Sequence, residues 1–111
     1  MDDAPLTDHV ERFNEGIRSG DFGPMLTAFA EDAELVFEGV PVGPFVGRDA
    51  IAEAYRHQPP TDEVRLLGRT RVEDGALVAD YGWAAEGTRA GRMLLTPRDG
   101  AVARLVVTFE S

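Results

Sequence analysis

Glu38 is the side chain that the sequence places best for chemistry. It closes the apolar run Leu35-Val36-Phe37 and stands directly before GVPVGPFVG, which holds two prolines and three glycines in nine residues. A carboxylate at such a junction sits at the mouth of an apolar pocket, where lost hydration raises its pKa from about 4.3. A base titrating nearer neutrality can both take and return a proton, as an allylic isomerisation requires. The plainer reading is a solvated glutamate at a strand end. Strict alternation, with Leu35 and Phe37 inward, turns Glu38 outward.

Tyr81 is the second candidate. It shares a strand face with Leu77, Ala79 and Trp83, so its hydroxyl would donate either to a developing oxyanion or, as a core aromatic, to a backbone carbonyl. His9 and His57 are the only histidines and lie 48 positions apart, and there is no cysteine. Neither histidine has metal-ligand spacing, so no metal and no cofactor is expected. His57 ends a predicted helix, where a cation suits the dipole. Asp80 and Arg92 are charges inside predicted strands. Asp80 shares its face with Val78 and Gly82, opposite Tyr81, which points to an exposed sheet face or an ion pair at a dimer interface. The loop 39–47 has neither G-x-G-x-x-G nor a Lys-Ser/Thr ending, so it reads as a rim or lid rather than a phosphate cradle.

The elements that must position these residues follow from periodicity. Residues 8–19 read as a helix, with Asp8 and Glu11 at capping-box spacing, Val10, Phe13 and Ile17 on one face, and Ser19-Gly20 as the stop. A shorter helix begins near Pro24, with Met25, Leu26 and Phe29 on its buried side. Glu34–Glu38 reads as a strand, and Asp49 caps a third helix through Ile51, Ala54 and Tyr55 that Pro59-Pro60 ends. The period then changes from 3.6 to 2. Strands are predicted over Val64–Val72, Ala76–Ala84, Gly91–Thr96 and Ala101–Phe109, and Asp74-Gly75 and Asp99-Gly100 are hairpin turns. Helices followed by a run of antiparallel strands indicate an α+β domain, with a concavity between sheet and helices.

The chain has 111 residues, 43% of them hydrophobic, and a formal net charge of −9 with no lysine. One domain over residues 1–111 is the expectation. The negative charge argues against nucleic acid and anionic membranes. No apolar run reaches the roughly 18 residues of a membrane span. The opening MDDAPLTDHV lacks the features of a signal peptide, so a cytoplasmic location is expected.

The run VERFNEGIRSGDFGPMLTAFAEDAELVFEG, followed by GRDAIAEAY and closing with DGAVARLVVTF, resembles the nuclear transport factor 2-like superfamily and, within it, the SnoaL-like proteins and ketosteroid isomerases. The resemblance runs from about Val10 to Phe109. It implies a cone-like, curved mixed sheet wrapped around three N-terminal helices, with an internal apolar pocket. By this resemblance Phe13, Phe37, Tyr55, Trp83, Met93 and Phe109 line the pocket, and a first-helix polar group near His9 points into it. The isomerase logic needs a carboxylate base and two proton donors in an apolar cavity. Carried over by position, the base falls on Glu38 with one alignment gap. The first-helix tyrosine falls on Phe13, and the protonated aspartate falls near Arg92 or Met93.

Glu38 and Tyr81 are therefore the catalytic candidates for proton transfer on a small ketone or enone. The alternative is a noncatalytic module for hydrophobic-ligand binding or for dimerisation, and epoxide hydrolase (through Asp80 and Arg92) and polyketide cyclase activities stand behind both. The expected partners are a small hydrophobic molecule and a second copy of the chain. The homodimer rests on the family's habit and on an exposed Val102 and Val106.

Overall fold

The computed structural model describes residues 3–110. Three helices, α1 (Ala4–Ser19), α2 (Gly23–Thr27) and α3 (Arg48–His57), accompany six strands: β1 (Phe29–Glu38), β2 (Phe45–Val46), β3 (Val64–Glu73), β4 (Ala76–Trp83), β5 (Arg89–Arg98) and β6 (Ala101–Thr108). The strands form one curved, unclosed sheet in the order β2-β1-β6-β5-β4-β3. β1 runs parallel to β6 and every other pairing is antiparallel. This is the expected α+β architecture with a mixed sheet. Among the described residues no helix is long and apolar enough to cross a membrane.

Alternation along the meander builds the inner face. Leu77, Ala79 and Tyr81 of β4, Met93 and Leu95 of β5, and Leu105 and Val107 of β6 enter one buried cluster with Leu6, Val10 and Phe13 of α1 and Ile51 of α3. Two polar devices fix the helices over this face. The Asn14 amide donates to the Val64 carbonyl at 2.9 Å and accepts from the Val64 N–H at 2.8 Å, tying α1 to the edge strand β3. Arg48 donates through Nε and Nη2 to the Phe29 carbonyl at 3.0 and 2.6 Å, tying α3 to β1. Glycine permits two close approaches. A Cβ on Gly91 would lie 1.9 Å from the Thr108 carbonyl oxygen, and one on Gly16 would lie 2.3 Å from the Phe22 ring.

Several boundaries differ from the sequence reading. α1 starts at Ala4 with Pro5 in its first turn, so Asp8 lies inside the helix and the Asp8–Glu11 capping box does not form. The missing N–H of a proline costs nothing in a first turn, which makes the earlier start favourable. Phe29 is fully buried but opens β1, because its main chain pairs beside Val102 of β6. The helix cap before α3 is Gly47, and Asp49 lies in the first turn without a capping bond. Val72, which with Val64 and Leu66 makes up the apolar set of the predicted strand and so would face inward, is 44% exposed. The β3–β4 register shifts between Leu67 and Arg71, next to Gly68 at φ 71°, and such a bulge re-aims the residues beyond it. Val102 and Val106, expected exposed, are both 4% exposed. Val102 joins the main cluster, and Val106 sits in register between Val36 and Leu94.

Candidate functional site

A cavity of about 620 Å³ lies between the inner sheet face and the helices. β4 supplies Tyr81 and Trp83, β5 supplies Met93, and β6 supplies Leu105 and Val107, followed by Phe109. β1 contributes Phe37 and β2 contributes Phe45. α1 adds His9 and Phe13, and α3 adds Ala50, Ala54 and Tyr55. All six residues expected to bind a ligand (Phe13, Phe37, Tyr55, Trp83, Met93 and Phe109) are therefore brought together on its wall. The aromatic rings form a connected chain. Phe37 meets Phe45 at 6.2 Å and Phe109 at 6.0 Å, and Tyr81 meets Phe109 at 6.5 Å and Trp83 at 5.9 Å. The tilted and edge-on geometries are those that aromatic quadrupoles prefer.

The mouth carries the exposed lining residues. Val40 and Val42 come from the loop after β1; Glu53, His57 and Gln58 come from the end of α3. The Glu53 carboxylate meets His57 Nε2 at 2.7 Å and also bonds Arg56. The 39–47 loop thus forms part of the rim, and His57 pairs with a carboxylate one turn back.

The two catalytic candidates fare differently. Glu38 is exposed and is absent from the cavity wall. Leu35 and Phe37 point inward, so alternation turns Glu38 to the outer face, in register with Thr108, and its carbonyl accepts from the Phe109 N–H at 2.8 Å. The carboxylate expected at the pocket mouth is on the other side of the strand. Tyr81 lines the cavity, but its hydroxyl donates to the Thr108 carbonyl at 2.9 Å. Burial, and then the nearby Glu110 charge, push its pKa up to about 12. The phenol proton is already in use as a strand-to-strand tie.

Asp80 and Arg92 face each other across β4 and β5 and take no part in the cavity wall. Asp80 pairs instead with Arg89 at 3.3 Å, and Arg92 pairs with Glu110 at 3.4 Å. The Asp–Arg arrangement of an epoxide hydrolase is not presented to the cavity. Among the described residues no group of three or more histidines and carboxylates converges as a metal site.

His9 is the functional group that the sequence reading undervalued. It is 2% exposed, lines the cavity, and stands edge-on to Phe29 at 5.6 Å. Its Nδ1 is buried without a hydrogen-bond partner. Burial first, and then the Arg12 charge, lower its pKa to about 4, so the ring is neutral near neutral pH. The available signal was its position four residues before Phe13 on the same helical face. Burial also holds the Tyr55 phenol well above its ordinary range.

A model of the SnoaL-like domain family matches residues 10–110. The chain belongs to the SnoaL-like family. Solved structures share the fold of this SnoaL-like domain. An NTF2-like protein of unknown function from Burkholderia xenovorans is 18% identical, with a TM-score of 0.66 over 97% of this chain and 87% of that one. A protein provisionally assigned as a polyketide cyclase from Sinorhizobium meliloti is 21% identical, with a TM-score of 0.64 over 90% and 93%. A protein provisionally assigned as a ketosteroid isomerase from Kribbella flavida is 14% identical, with a TM-score of 0.63 over 94% and 76%. No curated protein matches the SnoaL-like chain in sequence.

Proposed function

We propose that this SnoaL-like domain binds a small, uncharged, largely apolar molecule in the cavity between the sheet, α1 and α3. The observation that carries the reading is the wall itself, built from aromatic and aliphatic side chains, with its charged residues confined to the mouth. Each Å² of apolar surface removed from water contributes about 25 cal/mol. A cavity of about 620 Å³ lies in the usual range for small-molecule sites. A charged ligand would lose its hydration with no counter-charge inside to replace it.

Proton transfer is less well served by this geometry. Glu38 lies outside the cavity, and an imidazole with a pKa near 4 holds a proton weakly. The provisional cyclase and isomerase assignments of similar folds support a small-molecule site more directly than they support a reaction here.

Trp83 is the only tryptophan and lies on the cavity wall, so its fluorescence reports occupancy. Adamantanone and naphthalene are expected to change the Trp83 emission saturably and to raise the thermal midpoint, whereas naphthalenesulfonate does neither. Ala54→Phe, which fills the cavity from α3, abolishes the response. If no neutral compound gives saturable binding at millimolar concentration, the reading is wrong.

A further inference from the structure

We propose that His9 is the polar anchor of the cavity, and that the ligand it selects is an apolar molecule carrying one hydrogen-bond-accepting oxygen, such as a carbonyl, at its buried end. This inference rests on the binding function proposed above. Several polar groups on the wall are already engaged or lie at the rim. Tyr81 has committed its proton to Thr108. Glu53 and His57 pair with each other at the mouth and are exposed. Gln58 is exposed at the same rim. Inside, His9, Tyr55 and the indole N–H of Trp83 remain.

Of these, His9 is the most fully withdrawn from water. It is 2% exposed, and its Nδ1 is buried with no hydrogen-bond partner. A neutral imidazole carries one donor and one acceptor. Nδ1 is sealed off with no acceptor beside it. A buried N–H without a partner is rarer than a buried lone pair without one, which favours placing the proton on Nε2. The ring then offers the cavity a donor, and the complementary ligand atom is an oxygen that accepts. Burial, and then the Arg12 charge, keep the ring neutral, so it exerts no net charge on a carboxylate. The selected class is accordingly an uncharged oxygenated hydrocarbon. Tyr55 approaches from α3, half-buried and packed on Phe22 at 5.3 Å, and is one competing donor; the Trp83 indole on β4 is the other.

The test uses a ketone and its shape-matched hydrocarbon, adamantanone and methylideneadamantane, titrated against wild type, His9→Leu and Tyr55→Phe by Trp83 fluorescence or calorimetry. The quantity of interest is each protein's preference for ketone over hydrocarbon, in which the solubility difference between the compounds cancels. The preference is expected to fall about tenfold in His9→Leu, the loss of one good hydrogen bond in a desolvated site, and to persist in Tyr55→Phe. Independently of any variant, the ring-nitrogen NMR shifts of His9 in the wild type move with the ketone and stay put with the hydrocarbon. An unchanged preference in His9→Leu, a preference lost only in Tyr55→Phe, or unmoved His9 nitrogens in the ketone complex overturns the assignment while leaving the binding function intact. If neither compound binds any of the proteins, the binding function itself fails, and this inference with it.

Discussion

The two faces of the sheet are built by the same strands from alternate residues, yet they do different work. On the inner face, Leu77, Ala79, Tyr81, Met93, Leu105 and Val107 meet the helices and enclose the cavity. On the outer face, the rows across the strands are striped. Val36, Val106, Leu94 and Val78 fall in register as one apolar row. Glu34 and Arg104 flank it on one side, and Glu38, Thr108, Arg92 and Asp80 on the other. Arg89, Glu110 and Asp80 extend the second flank into an ion-pair network, with Arg89 to Glu110 at 3.1 Å. Alternation delivers the cavity wall to one side and, to the other, a covered apolar row, with Val78 and Val106 at 0% and 4% exposure, between charged stripes. Glu38 therefore belongs to the charged stripe, whatever its sequence neighbours suggest.

Neighbouring residues on opposite faces differ most in what they contribute to stability. Leu105→Ala removes a side chain that is 1% exposed, and its cost is expected to be about 3 kcal/mol of unfolding free energy. Arg104→Ala, one residue away, loses only an exposed 2.6 Å pair with Glu34 and is expected to cost below about 1 kcal/mol. Urea unfolding of both variants checks the ratio, and equal losses would mean that the outer face is buried by something else.

His9 makes the second contrast, between a buried titratable group and the exposed carboxylates. The folded ring titrates near 4 and the unfolded one near 6.5, so the unfolded chain binds the proton first as pH falls. Stability is complete above the unfolded value and is lost progressively as pH drops from about 6.5 to about 4. The gap of about 2.5 units corresponds to roughly 3 kcal/mol at the acid end of that window. His9→Leu is expected to lack this component while keeping the carboxylate contributions. Unfolding curves of the two proteins that stay parallel through the window contradict it.

The smallest effect separates a structural tyrosine from a functional one. Tyr81→Phe removes the 2.9 Å bond to the Thr108 carbonyl and is expected to cost about 1 to 2 kcal/mol. Affinity for adamantanone should stay within about twofold of wild type. A tenfold loss of affinity at unchanged stability would return Tyr81 to the ligand.

Much of the fold was legible because the meander obeys a period of two and its turns carry Asp-Gly pairs at 74–75 and 99–100, where the aspartates adopt φ of 51° and 52°. The six aromatic and apolar wall residues were legible through the family resemblance. What escaped were features set by distant pairing. Phe29 has helical spacing from Met25, yet it is taken into β1 by β6, seventy-odd residues later in the chain. The outward turn of Glu38 was visible in the alternation and was outweighed by the positional match. The isolation of His9 could not be read at all, since whether a buried nitrogen finds a partner depends on side chains from elements far apart in sequence.

The Asn14 handle on Val64 ties a helix and an edge strand whose residues are 50 positions apart. Edge-strand amides normally face solvent and recruit foreign strands. Here both backbone groups of the first β3 residue are occupied by one side chain, so that corner of the sheet offers no template for another chain. The same handle joins the helix bearing His9 and Phe13 to the strand whose Val64 also lines the cavity. Widening the cavity on that side therefore means moving both as one body or breaking two hydrogen bonds together.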